Sequence, residues 1–193
     1  MNKLPKEKPS VEQLKQEIGR VKYRSRYRTV LKSTVYTLIT VAAVAVLVAT
    51  LWLPVLQIYG SSMTPTLQDG EIVFSVKTSE MQPGDVIAFY YNNKILVKRV
   101  IAGPGEWVNL NEDGTVYVNG EMLEEPYLEE KHFGDADIEL PYQVPDGRVF
   151  VMGDHRATSV DSRHMEVGCV AQEQIVGKIL LRIWPLDRIG IIK

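Results

Sequence analysis

The chain changes character once, at an uncharged stretch that is followed by short alternating runs. Residues 34–53, TVYTLITVAAVAVLVATLWL, are twenty positions without a charge, glycine or proline. At 1.5 Å rise per residue that length matches a hydrocarbon core of ~30 Å and predicts a single membrane-spanning helix. Ahead of it, residues 1–32 are polar with a faint apolar rhythm at Leu14, Ile18 and Val21, which predicts a short helical tail. After Pro54, runs of β character separated by turn signals predict strands at 71–76, 86–91, 95–101, 107–110, 115–118, 148–152 and 175–183. Asn119-Gly120, directly after TVYV, is a two-residue hairpin signal. No amphipathic helix of any length follows the span, so the body is expected to be mainly β.

Charge gives that layout a direction. Residues 1–32 carry ten Lys or Arg against three Glu, whereas the remainder carries twelve against twenty-one. Basic residues before the span place the N terminus in the cytosol and everything after Pro54 on the outer face, with Tyr36 and Trp52 at the interfaces. A cleaved signal peptide would have a shorter apolar core and a small-residue cleavage site, where this chain has Leu51-Trp52-Leu53. The expected organisation is a cytosolic basic tail at 1–32, a membrane helix at 33–54 and an extracytoplasmic body at 55–193. Lys22, Arg24, Arg26 and Arg28 among tyrosines read as a charge flank and not as a nucleic-acid surface. The single cysteine, Cys169 in VGCVA, excludes an intramolecular disulfide and is expected to be a small buried side chain. An acidic, loop-like stretch at 121–146 is expected to be solvated and lacks a recognisable metal-binding loop.

The chemistry concentrates in three places. In IYGSSMTPTLQDG, Gly60 and a Thr-Pro-Thr step can hold one serine hydroxyl at a fixed turn, nine residues beyond the span at Ser62. A hydrolytic serine needs a base. His132, His155 and His164 have no triad context, and their spacing does not suggest a metal site. Lys98 lies in LVKRV, and burial in apolar company lowers a lysine pKa toward neutrality. Pattern alone leaves open whether Lys98 or Arg99 faces inward. The third stretch, GDHRATSVDSR at 153–163, is a Gly-led polar loop in which Asp154, Arg156, Asp161 and Arg163 can pair with one another, or Ser159 can orient the lysine.

GSSMTPTLQDG, GDVIAF at 84–89, KRVIAGPGE at 98–106 and GDHRATSVDSR, in that order after one span, resemble the motifs of bacterial type I signal peptidases, the Ser/Lys leader peptidase family, in a Gram-positive-like form. The resemblance implies a mainly β, antiparallel catalytic body with a smaller β insertion at about 106–143. It implies Ser62 as the nucleophile and Lys98 as the general base, with Ser159, Asp161 and Arg163 in support. Ile58, Met63, Leu67, Leu96 and Val97 would line shallow pockets for small substrate side chains. The implied partners are signal-peptide-bearing preproteins, membrane lipid and nearby export machinery, with no nucleic acid. No cofactor or metal is implied.

Two positions depart from the pattern. Gly60 stands where some members carry a serine that helps to hold the oxyanion, leaving the Ser62 N–H as one donor and either another main-chain N–H or Ser61 as the second. His155 replaces the usual asparagine; both side chains can hydrogen-bond. A non-catalytic precursor- or pilin-subunit-binding module of the same fold is the alternative reading. The segment 183–186, Ile-Trp-Pro-Leu, is expected in the core.

Overall fold

The computed structural model describes residues 10–52, 54–78 and 80–192, and the chain divides into two units between Val48 and Ala49. The first nine residues of the tail and the side chains of residues 49–53, including the Trp52 interface position, lie outside the described residues.

Tail and span are one element. Helix α1 runs from Val11 to Trp52, 42 residues, or roughly 63 Å at 1.5 Å per residue. Its stretch up to Val48 has a mean hydropathy of 1.9 in its most apolar window, and none of that window is buried against protein, as expected of a helix whose apolar surface meets lipid. The polar tail propagates the helix because nothing in 11–33 breaks it except the tolerated Gly19.

The second unit is built from antiparallel strands. They are β1 (Val55–Gln57), β2 (Ile72–Val76), β3 (Val86–Tyr91), β4 (Lys94–Ala102), β5 (Trp107–Leu110), β6 (Val116–Val118), β7 (Glu121–Met122), β8 (Tyr142–Gln143), β9 (Arg148–Met152), β10 (Val170–Ala171), β11 (Ile175–Trp184) and β12 (Gly190–Ile191). The main sheet has the order β1-β2-β11-β3-β4-β9-β10, with β12 beside β11. A smaller four-stranded sheet has the order β7-β6-β5-β8. Asn119 and Gly120 both take positive φ, 53° and 86°, and turn β6 into β7 with Val118 opposite Glu121. Asn92 and Asn93 do the same between β3 and β4, a hairpin the sequence reading passed over although asparagine tolerates this region better than most residues.

Three apolar clusters hold the sheets. One joins the small sheet to β4 and β9 through Val108, Val116, Ile101, Phe150 and the buried Cys169. A second gathers Ile58, Met63, Leu67, Val73, Ala88 and Ile179 beneath the β1–β2 turn. The third packs Ile87, Phe89, Val100 and Val151. The 183–186 segment is not in the core: Trp184 is 50% exposed and Leu186 69%. The register of β11 against β2 shifts between Ile179 and Leu181 and again between Arg182 and Trp184, so the end of the strand departs from regular alternation where the indole is exposed.

Candidate active site

Ser62 lies in the turn between β1 and β2, whose neck is pinned twice. The Ile58 N–H donates to the Glu71 carbonyl at 2.8 Å and the Gly70 N–H to the Ile58 carbonyl at 2.9 Å. Buried Glu71 also receives Arg182 at 3.0 Å and Arg188 at 3.0 Å, which ties the turn to the C-terminal part of the sheet. At the tip, Gly60 adopts φ of 85°, a region that favours glycine, and its N–H donates to Asp69 Oδ1 at 2.7 Å. The Gly60 amide is therefore occupied. The Ser62 N–H donates to no protein acceptor among the described residues, and Ser61 beside it is exposed, its carbonyl accepting the Thr64 N–H at 3.0 Å. Met63 and Leu67 sink into the core and fix the far side of the turn.

Lys98 comes from the middle of β4. Its Nζ is 2.7 Å from Ser62 Oγ, and the residue is 3% exposed. Arg99 beside it is 1% exposed, so neither in-or-out alternative holds. Successive strand residues point to opposite faces, and here β4 is covered on both. Burial pushes the Lys98 pKa down from 10.5 to about 8. Asp161 opposes that shift, Arg163 adds to it and Asp154 opposes it. An ammonium in this place donates to Ser62; the free amine turns a lone pair on the same hydroxyl.

The 153–163 loop closes over these two groups. The His155 N–H donates to the Ser62 carbonyl at 3.1 Å. Asp161 Oδ2 accepts the Gly153 N–H at 2.9 Å, and Arg163 grips both Asp161 oxygens at 2.9 Å while donating to the carbonyls of Arg156 and Ser159. Burial acts to raise the Asp161 pKa, but the Arg163 guanidinium and the Gly153 N–H outweigh it and hold the carboxyl below its usual range. A Cβ on Gly153 would come within 2.2 Å of Ser159 Oγ and 2.5 Å of the Ser62 carbonyl oxygen, so this approach requires glycine. Ser159 Oγ is buried and makes no well-formed hydrogen bond among the described residues, although its nearness to Asp161 favours the carboxylate. The histidines stay out of the pair: His155 and His132 are exposed, with His155 Nδ1 at 2.8 Å from Thr158 Oγ1.

Of the four loop charges that the sequence allows to pair together, only Asp161 and Arg163 do. Asp154 binds Arg99 through two contacts, Nε to Oδ1 at 2.9 Å and Nη2 to Oδ2 at 2.7 Å. Arg156 pairs with Glu125, which is buried in place of the solvated position expected for that acidic stretch. Tyr127 completes the group, with its hydroxyl on Glu125 at 2.9 Å and its ring 3.8 Å beneath the Arg99 guanidinium. The EEPY segment carries no local signal for this, because the partners lie about thirty residues away in sequence.

A groove of about 560 Å³ runs beside Ser62, lined on one side by Leu56, Ile58 and Met63 and on the other by Ile95, Leu96 and Val97. Leu67 belongs to the cluster beneath and not to this lining. The groove is predominantly apolar, and an extended peptide laid along it reaches the Ser62 hydroxyl.

The family model for signal peptidase, peptidase S26, matches residues 31–184. Signal peptidase IB of Staphylococcus aureus is 40% identical over 150 residues, covering 67% of this chain and 77% of that protein. Signal peptidase I T of Bacillus subtilis is 39% identical over 141 residues, covering 66% and 72%. A crystal structure of a signal peptidase I from Enterococcus faecalis matches at 33% identity with a TM-score of 0.44, covering 51% of this chain and 96% of that one. The family match takes in Ser62, Lys98 and the whole 153–163 loop, and the chain belongs to the signal peptidase family, peptidase S26.

Proposed function

We propose that this signal peptidase cuts exported preproteins at the end of their signal peptides by acyl transfer, with Ser62 as nucleophile and Lys98 as general base. The observation that carries the reading is the 2.7 Å approach of a buried amine to a half-buried hydroxyl, with no histidine side chain bonded to either group among the described residues. Neutral Lys98 takes the Ser62 proton as Oγ attacks the scissile carbonyl carbon. The oxyanion that forms accepts the Ser62 N–H, with the Ser61 hydroxyl as the second donor. Lys98 then gives its proton to the departing amine, leaving the signal peptide esterified to Ser62, and water activated by the same amine releases it. Ser159, whose buried hydroxyl makes no well-formed hydrogen bond among the described residues, is the group proposed to orient Lys98, and the Asp161–Arg163 pair holds the loop that carries it.

Ile58, Met63, Leu96 and Val97 supply shallow apolar contacts for small side chains next to the cut, with Leu67 setting the depth from below. The extended peptide is fixed through its main chain, with alternate residues facing the lining. The basic tail is cytosolic, the helix crosses the membrane once, and the body from residue 55 works outside, with its insertion at about 106–143. Membrane lipid meets the span, and exposed Trp184, Leu186, Ile189 and Ile191 give the body its own apolar contact with the bilayer. The export machinery that delivers the precursor lies nearby, and nucleic acid plays no part.

The test is precursor cleavage by full-length protein in detergent. Ser62→Ala and Lys98→Ala are each expected to lose about 10⁴-fold or more. Wild-type kcat/KM is expected to fall tenfold per pH unit below a midpoint near 8, because protonation removes the base. Full activity in either variant sinks the assignment.

A further inference from the structure

The mechanism leaves a buried group unused: the insertion residues that touch the arginines around the catalytic pair. Each of the three fully buried arginines here takes a partner from the insertion. Arg156 binds the Glu125 carboxylate with both terminal nitrogens, Arg99 stacks 3.8 Å over the Tyr127 ring, and Arg163 Nη1 donates to the Phe133 carbonyl at 2.7 Å. The Tyr127 hydroxyl closes the set on Glu125. Further along, the Asp137 N–H donates to the Arg163 carbonyl at 3.0 Å and Asp137 Oδ1 accepts the Met165 N–H at 2.6 Å. Gly134 presses so close that a Cβ there would stand 2.3 Å from Arg163 Nη1.

We propose that Glu125 and Tyr127 are positioning residues for signal-peptide cleavage, clamping the 153–163 loop over the Ser62–Lys98 pair through Arg156 and Arg99. The proposal rests on Lys98 being the base. Neither residue reaches the reacting atoms. The charged groups that act on Lys98 are Asp161, Arg163 and Asp154, all on the clamped loop, and Arg99 is its neighbour on β4. Asp154 is held by Arg99, which Tyr127 covers. Arg163 spans Asp161 and the Arg156 carbonyl, so the Glu125 pairing fixes the middle of the same loop.

Two roles for this clamp predict opposite signs. If it positions the loop, loosening it readmits water to the amine, and the Lys98 pKa rises toward the solution value. If Glu125 acted only as a charge, its removal would leave Arg156 unbalanced and lower that pKa. The experiment titrates Lys98 by NMR in full-length protein in detergent micelles, with ¹⁵N at lysine Nζ and the signal assigned by its loss in Lys98→Arg. The same samples give kcat and KM on a precursor peptide.

Tyr127→Phe is expected to move the Lys98 midpoint up by about half a unit and lower kcat ~3-fold, and Glu125→Gln by about one unit and ~30-fold, with KM within ~2-fold of wild type. A midpoint that stays or falls in folded protein overturns the proposal. Should Glu125→Gln fail to fold, Tyr127→Phe decides alone, because it keeps the ring and loses only the hydroxyl. Failure of the underlying reading looks different: Lys98→Met would still cleave precursor while the midpoints of the other variants moved as expected.

Discussion

Lys98 and Arg99 are consecutive on one strand and equally hidden from water, yet their surroundings treat them in opposite ways. On the arginine side the partners are many: Asp154 holds the guanidinium bidentately, the Gly84 carbonyl takes Nη1 at 2.7 Å, Thr66 Oγ1 takes Nη2 at 3.2 Å and Tyr127 covers the face. On the lysine side the only side-chain hydrogen bond among the described residues goes to a neutral serine hydroxyl, and the carboxylates act from further off. A guanidinium does not shed its proton in a protein, so burying it demands counterions. An ammonium buried without a direct counterion gives up its proton more readily. In the proposed mechanism equal burial thus makes a brace from one residue and a base from its neighbour, and the number of partners decides which.

The comparison can be broken from either side. The largest effect is expected from Lys98→Met, which should abolish cleavage, ~10⁴-fold or more, and yet melt higher than wild type at pH 7. The sign follows from linkage. With a folded pKa of about 8 and an unfolded value of 10.5, the unfolded chain binds more protons between those values, so stability rises with pH across that window and is lowest below 8. Removing the amine lifts a penalty on the order of 3 kcal/mol at neutral pH, readable by calorimetry. Asp161→Asn attacks the brace: Arg163 loses its bidentate partner while fully buried, at a cost of about 3–5 kcal/mol, visible as a melting temperature lowered by on the order of 10 °C.

Gly153→Ala sharpens the geometry between the two sides. Its methyl would push Ser159 and the Ser62 carbonyl apart, and kcat is expected to fall ~100-fold with KM little changed in steady-state assays. The smallest effect should come from His155→Asn. The exposed ring contributes one contact to Thr158, while the backbone N–H that meets Ser62 is kept, so kcat/KM and stability should stay within about twofold.

What the sequence disclosed was local. The Asn119-Gly120 hairpin is readable because two adjacent residues dictate the turn, and the long strands because alternation persists over five residues or more. Strands of two or three residues such as β1, β8 and β10 exist only through partners far along the chain, so no local pattern marks them. The serine and lysine were legible through their motif contexts, but their 2.7 Å approach spans 36 residues. Period two cannot report that β4 is covered on both faces, which is why Lys98 and Arg99 looked like alternatives. Glu125 was hardest, since an acidic run reads as solvated and only its distant arginine explains why one member is buried.

If Lys98 is the base proposed above, its depressed pKa also sets how much enzyme stands ready. With a midpoint near 8, about one molecule in ten at pH 7 carries the amine in its reactive form, and the rest idle as ammonium. In the proposed mechanism a peptide seated beside Ser62 that excludes further water from Lys98 would enlarge that fraction. Between precursors, this arrangement leaves most copies dormant toward any chain that brushes past without seating.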